Sequence, residues 1–145
     1  MLRAISIRQP YASLLMHGVK MFESRAWSTL YRGTVLVHAS TQIKHRETDI
    51  FYHPEVLPTL RALGYQSPTQ MPTGVILGTI ELVSCCPFQS YDSQEFKPIE
   101  SILTPFDKGH WVWKFANPVF FEKKPMYRGR LGVFNVEEEV IHGCA

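Results

Sequence analysis

Between Gly74 and Cys86 the chain carries apolar side chains on both alternating faces and a single charge, Glu81. That pattern predicts a strand buried on both sides, the central strand of a sheet, and the run is far short of the ~20 apolar residues of a membrane-spanning helix. A central strand needs neighbours, and the sequence offers them on both sides. Leu2 to Ile7 alternates and stops at Gln9-Pro10. Pro10 suits a first helical position, Tyr11, Leu14 and Leu15 recur at helical spacing, and Gly18 is a natural stop, so a two-turn helix is expected over 10–17. Lys20 to Trp27 reads as extended, Tyr31-Arg32-Gly33 as a turn and Thr34 to Ala39 as a strand. Trp111 to Phe115, Val119 to Lys123 and Leu131 to Glu137 are the closing strands, with turns at Asn117-Pro118 and Tyr127-Arg128-Gly129.

Two segments interrupt this pattern. From Thr41 to Thr73 the composition is polar, and Pro54, Pro58, Pro68 and Pro72 exclude one long helix, leaving a mobile excursion with a short helix over 56–63. From Cys86 to Gly109 the chain reads as loop, with a helical turn at Pro98 to Leu103. Six or seven strands and few helices in 145 residues imply an α+β, mainly β, single domain spanning 1–145. Its sheet is expected to curl toward a barrel to protect its edges, with the early helix plugging one end.

Several classes are excluded by what the sequence lacks. With 45% hydrophobic and 19% charged residues the chain can bury a core, so disorder is not its main state. Arg8, Gln9 and Pro10 interrupt any signal-peptide core, and three cysteines, two of them adjacent, make a poor disulfide framework. A soluble, cytoplasmic protein in a reducing setting is therefore expected, with no membrane partner. There is no C-x-x-C, H-E-x-x-H, P-loop, G-x-G-x-x-G or G-x-S-x-G, so no metal and no cofactor is expected.

The net charge is only +2, but its distribution is uneven. Residues 1–32 hold five basic residues against one acid, and residues 108–130 hold six against one; the other two stretches are acidic. Brought together, the two basic segments would make one positive face able to attract phosphate.

The segment Gly18-Val19-Lys20-Met21-Phe22-Glu23-Ser24-Arg25 carries the pattern G-x-K-x-x-E-x-R, with Gln9-Pro10-Tyr11 before it and Trp27 and Arg32-Gly33 after it. Together with the closing Tyr127-Arg128-Gly129-Arg130-Leu131-Gly132-Val133-Phe134, these motifs resemble the ASCH domain over most of the chain. The resemblance implies a PUA-like β-barrel and a link to RNA handling and transcriptional coactivation. Some small bacterial relatives deacetylate N4-acetylcytidine and others are assigned ribonuclease activity, so both a reader and an enzyme are implied. The acetylcytidine hydrolases carry a threonine nucleophile where this chain has Glu23, which demotes that activity here.

In a regular strand Glu23 and Arg25 share a face and Lys20 points to the other, so the three converge only if the turn after Gly18 swings Lys20 round. A carboxylate between two cations would stay ionised, and a charged Lys20 would contact a ligand rather than act as a base. The alternative is a structural Glu23–Arg25 ion pair. Tyr11 and Trp27 flank the motif as stacking platforms, whereas Trp111 and Trp113 read as core. Ser6 and Arg8 on the first strand, with His38 and Ser40 on the third, are candidate pocket polar groups, or else ordinary hydrogen-bonded interior ones. Arg32, Lys114, Arg128 and Arg130 are the expected phosphate contacts. The expected function is thus RNA or single-stranded nucleic-acid binding, or binding of a modified nucleotide. The competing class is a hydrolase with Lys20 and Glu23 catalytic and a hydroxyl from Ser6, Ser24 or Ser40.

Overall fold

A computed structural model describes residues 1–91, 95–104 and 107–145. Its elements run β1 (Leu2–Ile7), α1 (Tyr11–Met16), β2 (Phe22–Arg25), β3 (Gly33–Ala39), α2 (His45–Phe51), α3 (Leu57–Ala62), β4 (Val75–Pro87), α4 (Pro98–Leu103), β5 (Trp111–Phe120), β6 (Val133–Val136) and α5 (Glu138–Ile141). The six strands form one mixed sheet in the order β2-β5-β4-β3-β1-β6. β1 and β3 run parallel, with Ala4 opposite Leu36 and Ile7 opposite Ala39, and the other pairs are antiparallel. A parallel pair needs a long crossover, and the segment through α1 and β2 supplies it.

The architecture is α+β, and the sheet is open: among the described residues no ladder joins β2 to β6. A side chain spans the gap instead, because Arg25 Nη2 on β2 donates to the Ser6 carbonyl of β1 at 2.9 Å. The sheet thus curls far enough to bring its first edge within reach of β1, and the seam left there is the cleft described below.

Helix α1 packs on the inner face of the sheet, where Ala12, Leu15 and Met16 meet Ile5, Val35, Leu77 and Trp113. Gln9, fully buried, anchors its first turn. Its Oε1 accepts from Ser13 N–H at 2.9 Å, and its Nε2 donates to Ser13 Oγ at 2.7 Å and to the Pro72 carbonyl at 2.8 Å. Gln9 thereby satisfies a helix-start donor and ties the 41–73 excursion to the sheet.

Four expectations are corrected. β4 is buried on both faces only through Ile80; Glu81 is exposed and Val83 is 48% exposed, because the outer cluster of Phe121, Phe134 and α5 covers Ile76 but not the strand's second half. Asn117-Pro118 makes no turn, since β5 continues through it as a bulge with shifted register. Asn117 takes φ 54°, which asparagine tolerates, and the Val119 backbone closes on Gly78, where any Cβ would collide with its carbonyl. The excursion contains a second helix, α2, that its polar sequence conceals. Rather than hanging free, α2 and α3 bury Phe51, Val56 and Leu60 against Leu14 of α1 and Leu103 of α4. Finally, α5 follows the last strand. No helix among the described residues is long and apolar enough to cross a membrane.

Candidate functional site

Helix α1 ends on Gly18 at φ 75°, and the N–H groups of Val19 and Lys20 both fold back to the Leu14 carbonyl, at 3.0 and 3.3 Å. Glycine supplies this left-handed turn without steric cost. The turn swings Lys20 inward: its side chain is fully buried, with Nζ 2.7 Å from Glu23 Oε1 and 4.8 Å from the centre of the Tyr11 ring. On the other side of the carboxylate, Arg25 Nε lies 3.2 Å from Glu23 Oε2, an ion contact that is not aligned as a hydrogen bond. Glu100 on α4 fixes the strand entry by accepting from Met21 N–H at 2.6 Å.

Lys20, Glu23 and Arg25 therefore converge with the carboxylate in the middle. Burial by itself pushes the Glu23 carboxyl up, but the Lys20 ammonium and the Arg25 guanidinium outweigh it and hold the group below the usual carboxylate range. Glu23 is an ionised, acceptor-only group with 12% of its side chain exposed.

That exposed part faces a cleft of about 680 Å³, within the ~300–1,000 Å³ usual for ligand sites. Its walls come from five stretches of chain: Ser6, Arg8 and Tyr11; Glu23 to Arg25 with Trp27; Ser40, Arg46 and Glu47; Asp107 and His110; and Arg130 to Gly132. Trp27 stands edge-on to buried Trp113, with ring centres 4.7 Å apart, and the Arg25 guanidinium lies 5.9 Å from the Trp27 ring. Burial pushes the Tyr11 hydroxyl up to about 12, so it remains a donor. The lining carries four arginines and three carboxylates. Arg8 is engaged by Glu47 at 3.3 Å and Arg25 by Glu23, whereas Arg46 and Arg130 have no ion-pair partner among the described residues. Ser24 Oγ also sits 3.0 Å from His110 Nδ1 at this cleft.

The position of Arg130 is set from beneath. His38 is 1% exposed; its Nε2 donates to the Tyr127 carbonyl at 2.7 Å, which leaves Nδ1 to accept from Ser6 Oγ at 2.9 Å. Burial lowers the His38 pKa, against the opposing effect of the Tyr127 bond, and so favours this neutral tautomer. Gly129 lies directly on the pair: a Cβ there would come 2.7 Å from the His38 ring and collide with Ser6 Oγ. The 127–130 loop is thus pinned onto the paired strands β1 and β3, with Arg130 lining the cleft.

The ASCH domain family matches residues 5–137, nearly the whole of this framework. The chain belongs to the ASCH family. It is 31% identical over 140 residues to human Activating signal cointegrator 1, an alignment covering 97% of this chain and 23% of that protein. It is 30% identical over 90 residues to the mouse protein of the same name, covering 62% of this chain and 15% of that one. The chain therefore spans less than a quarter of the length of these relatives.

Within this ASCH domain the expected site residues separate into two groups. Ser6, Arg8, Tyr11, Glu23, Arg25, Trp27, Ser40 and Arg130 line the cleft. Lys20 does not: it acts on Glu23 from behind, and its stem lines a smaller cavity of about 280 Å³ with Leu15, Ile80 and Phe115. His38 lies under the loop rather than in the cleft. Arg32 spends its guanidinium on the carbonyls of Thr29, Tyr31 and Cys85, and Lys114 Nζ is 3.2 Å from Glu95. Arg128 is exposed outside the lining. The sequence reading missed Arg46 and Glu47, because α2 has no apolar periodicity to announce it, and missed Asp107 and His110, at and just past the end of the 86–109 stretch read mainly as loop. The sequence gives little signal at α2, since Lys44 stands where Ser, Thr, Asp or Asn would announce a helix start, although Glu47 Oε1 does accept from Lys44 N–H at 3.3 Å.

Proposed function

We propose that this ASCH domain binds single-stranded nucleic acid, RNA foremost, with the curled sheet serving as a PUA-like barrel whose seam is the binding cleft. An unstacked base enters between Trp27 and Tyr11, Glu23 accepts hydrogens from its edge, and Arg46 and Arg130 hold the flanking phosphates. Lys20 keeps Glu23 charged, and Arg25 orients it while bridging to β1. The observation that carries this reading is the ionised Glu23 at the bottom of a cleft with two aromatic walls and arginines drawn from separate stretches of the chain. Stacking a base on an aromatic ring stabilises single-strand complexes by about 1 to 3 kcal/mol, and cations on the rim add a salt-sensitive share. The likeness to Activating signal cointegrator 1 supports a coactivator-like setting for such binding.

Fluorescence anisotropy with a labelled single-stranded oligoribonucleotide tests it. The double variant R46A/R130A should lose at least tenfold in affinity, and the slope of log K against log salt should shrink by about 1.4, two contacts at about 0.7 each. Unchanged affinity and slope would contradict the assignment.

The Ser24–His110 contact favours a second reading, hydrolysis of a modified nucleoside such as N4-acetylcytidine or metal-independent cleavage of RNA. For the acetylated nucleoside, Ser24 Oγ attacks the acetyl carbonyl as His110 takes its proton; the amide C–N bond breaks, His110 returns the proton to the departing cytidine amine, and water hydrolyses the acyl-serine to acetate. Incubation of the protein with acetylated cytidine and with labelled RNA in chelator separates the readings: product formation lost in S24A supports the enzyme, and retention without product supports the reader.

A further inference from the structure

We propose that the base preferred in the cleft is guanine, read through its Watson–Crick edge by Glu23. The inference rests on the cleft's being the nucleic-acid site and adds to it the identity of the base.

An ionised carboxylate accepts and cannot donate, and its two oxygens offer about four lone-pair directions. Each oxygen meets one cation, Oε1 the Lys20 Nζ at 2.7 Å and Oε2 the Arg25 Nε at 3.2 Å, and each keeps a further lone-pair direction. Acceptor capacity on both oxygens therefore remains at the cleft floor. The Ser6 carbonyl beside it already receives Arg25 Nη2. Lys20 is buried behind Glu23 and cannot reverse the polarity of the floor by reaching past it.

A floor of this kind selects an edge with two adjacent donors. Guanine has one, in N1–H beside the N2 amino group. Adenine and cytosine each set one amino group beside an acceptor ring nitrogen, and uracil flanks a single N–H with two carbonyls, so each brings only one donor group to the two carboxylate oxygens. The surroundings suit a planar purine: Trp27 and Tyr11 offer ring surface, and Leu131, 99% exposed, stands at the lip between Arg130 and Gly132. An apolar side chain so placed gains burial only when something covers it.

Competition against a labelled single-stranded oligoribonucleotide on the intact chain provides the test, with nucleoside monophosphates as competitors so that the phosphate contribution is constant. GMP should compete about tenfold or more better than AMP, CMP or UMP, and IMP, which lacks the N2 amine, should lose about tenfold against GMP. Methylation at N1 should abolish the advantage. Equal competition by all four nucleotides, or IMP matching GMP, overturns the guanine assignment while leaving the cleft as a phosphate-binding site; RNA that is not retained at all overturns the nucleic-acid reading itself. E23Q, checked for folding by circular dichroism, should reduce the GMP-to-IMP ratio toward one. The wild-type series decides the matter even if that variant fails to fold.

Discussion

Two sets of basic residues on this molecule have similar formal charge and opposite employment. At the seam, Arg46 and Arg130 line the cleft without an ion-pair partner among the described residues, whereas Arg32 donates to three backbone carbonyls and Lys114 to Glu95. The contrast shows that a cation becomes available to a ligand only where no nearby carbonyl or carboxylate has already claimed it. Charge segregation along the sequence pointed to Arg32, Lys114 and Arg130 alike and passed over Arg46.

The sharpest way to break this comparison is to remove the group that organises the seam. Glu23→Ala would strand the fully buried Lys20 ammonium and should cost about 3 to 5 kcal/mol in denaturant unfolding, far beyond any single rim arginine. A loss below 1 kcal/mol would mean that Lys20 finds water or another partner. Next in size is Gly129→Ala. Its Cβ would meet Ser6 Oγ and the His38 ring, and overpacking of this kind costs about 1 to 3 kcal/mol. Arg130 should be displaced with the loop, so RNA affinity should fall as far as in R130A. Retained affinity would show that the pin beneath the loop is irrelevant to the cleft.

The rim variants sharpen the contrast itself. R46A and R130A should each lower the salt slope by about 0.7, while R32A should leave the slope unchanged and cost about 1 kcal/mol of stability through lost carbonyl bonds. The smallest effect concerns pH. Because the Glu23 pKa is depressed in the folded protein, its contribution is present above the ordinary value of 4.5 and disappears as pH falls through the lower folded value. The stability difference between wild type and E23Q should therefore narrow in acid, and a constant difference across that range would contradict the ion-pair account.

Much of this was readable in the chain because the signals are local. The alternation of Leu2 to Ile7, the run from Gly74, the prolines that open α3 and α4 and the glycine that ends α1 each act within a few residues. The G-x-K-x-x-E-x-R spacing likewise revealed that Lys20 could join Glu23 and Arg25 only through a turn at Gly18. What stayed hidden depends on distant partners. Asn117-Pro118 carries the composition of a turn and becomes a bulge because β4 continues alongside it. The fate of Arg32 turns on where the Cys85 carbonyl lies, and the roles of Arg46 and Glu47 on a helix whose burial comes from Leu14 and Leu103 rather than from its own periodicity.

The most direct test of the cleft is a nitrogen-15 NMR titration with a single-stranded oligoribonucleotide containing guanine. The account predicts that the largest amide shifts fall at residues 6–8, 23–27, 46–47 and 130–132, with those around Arg32 and Lys114 little changed. Shifts centred on Arg32 and Lys114, or spread evenly over the surface while the seam stays silent, would contradict it.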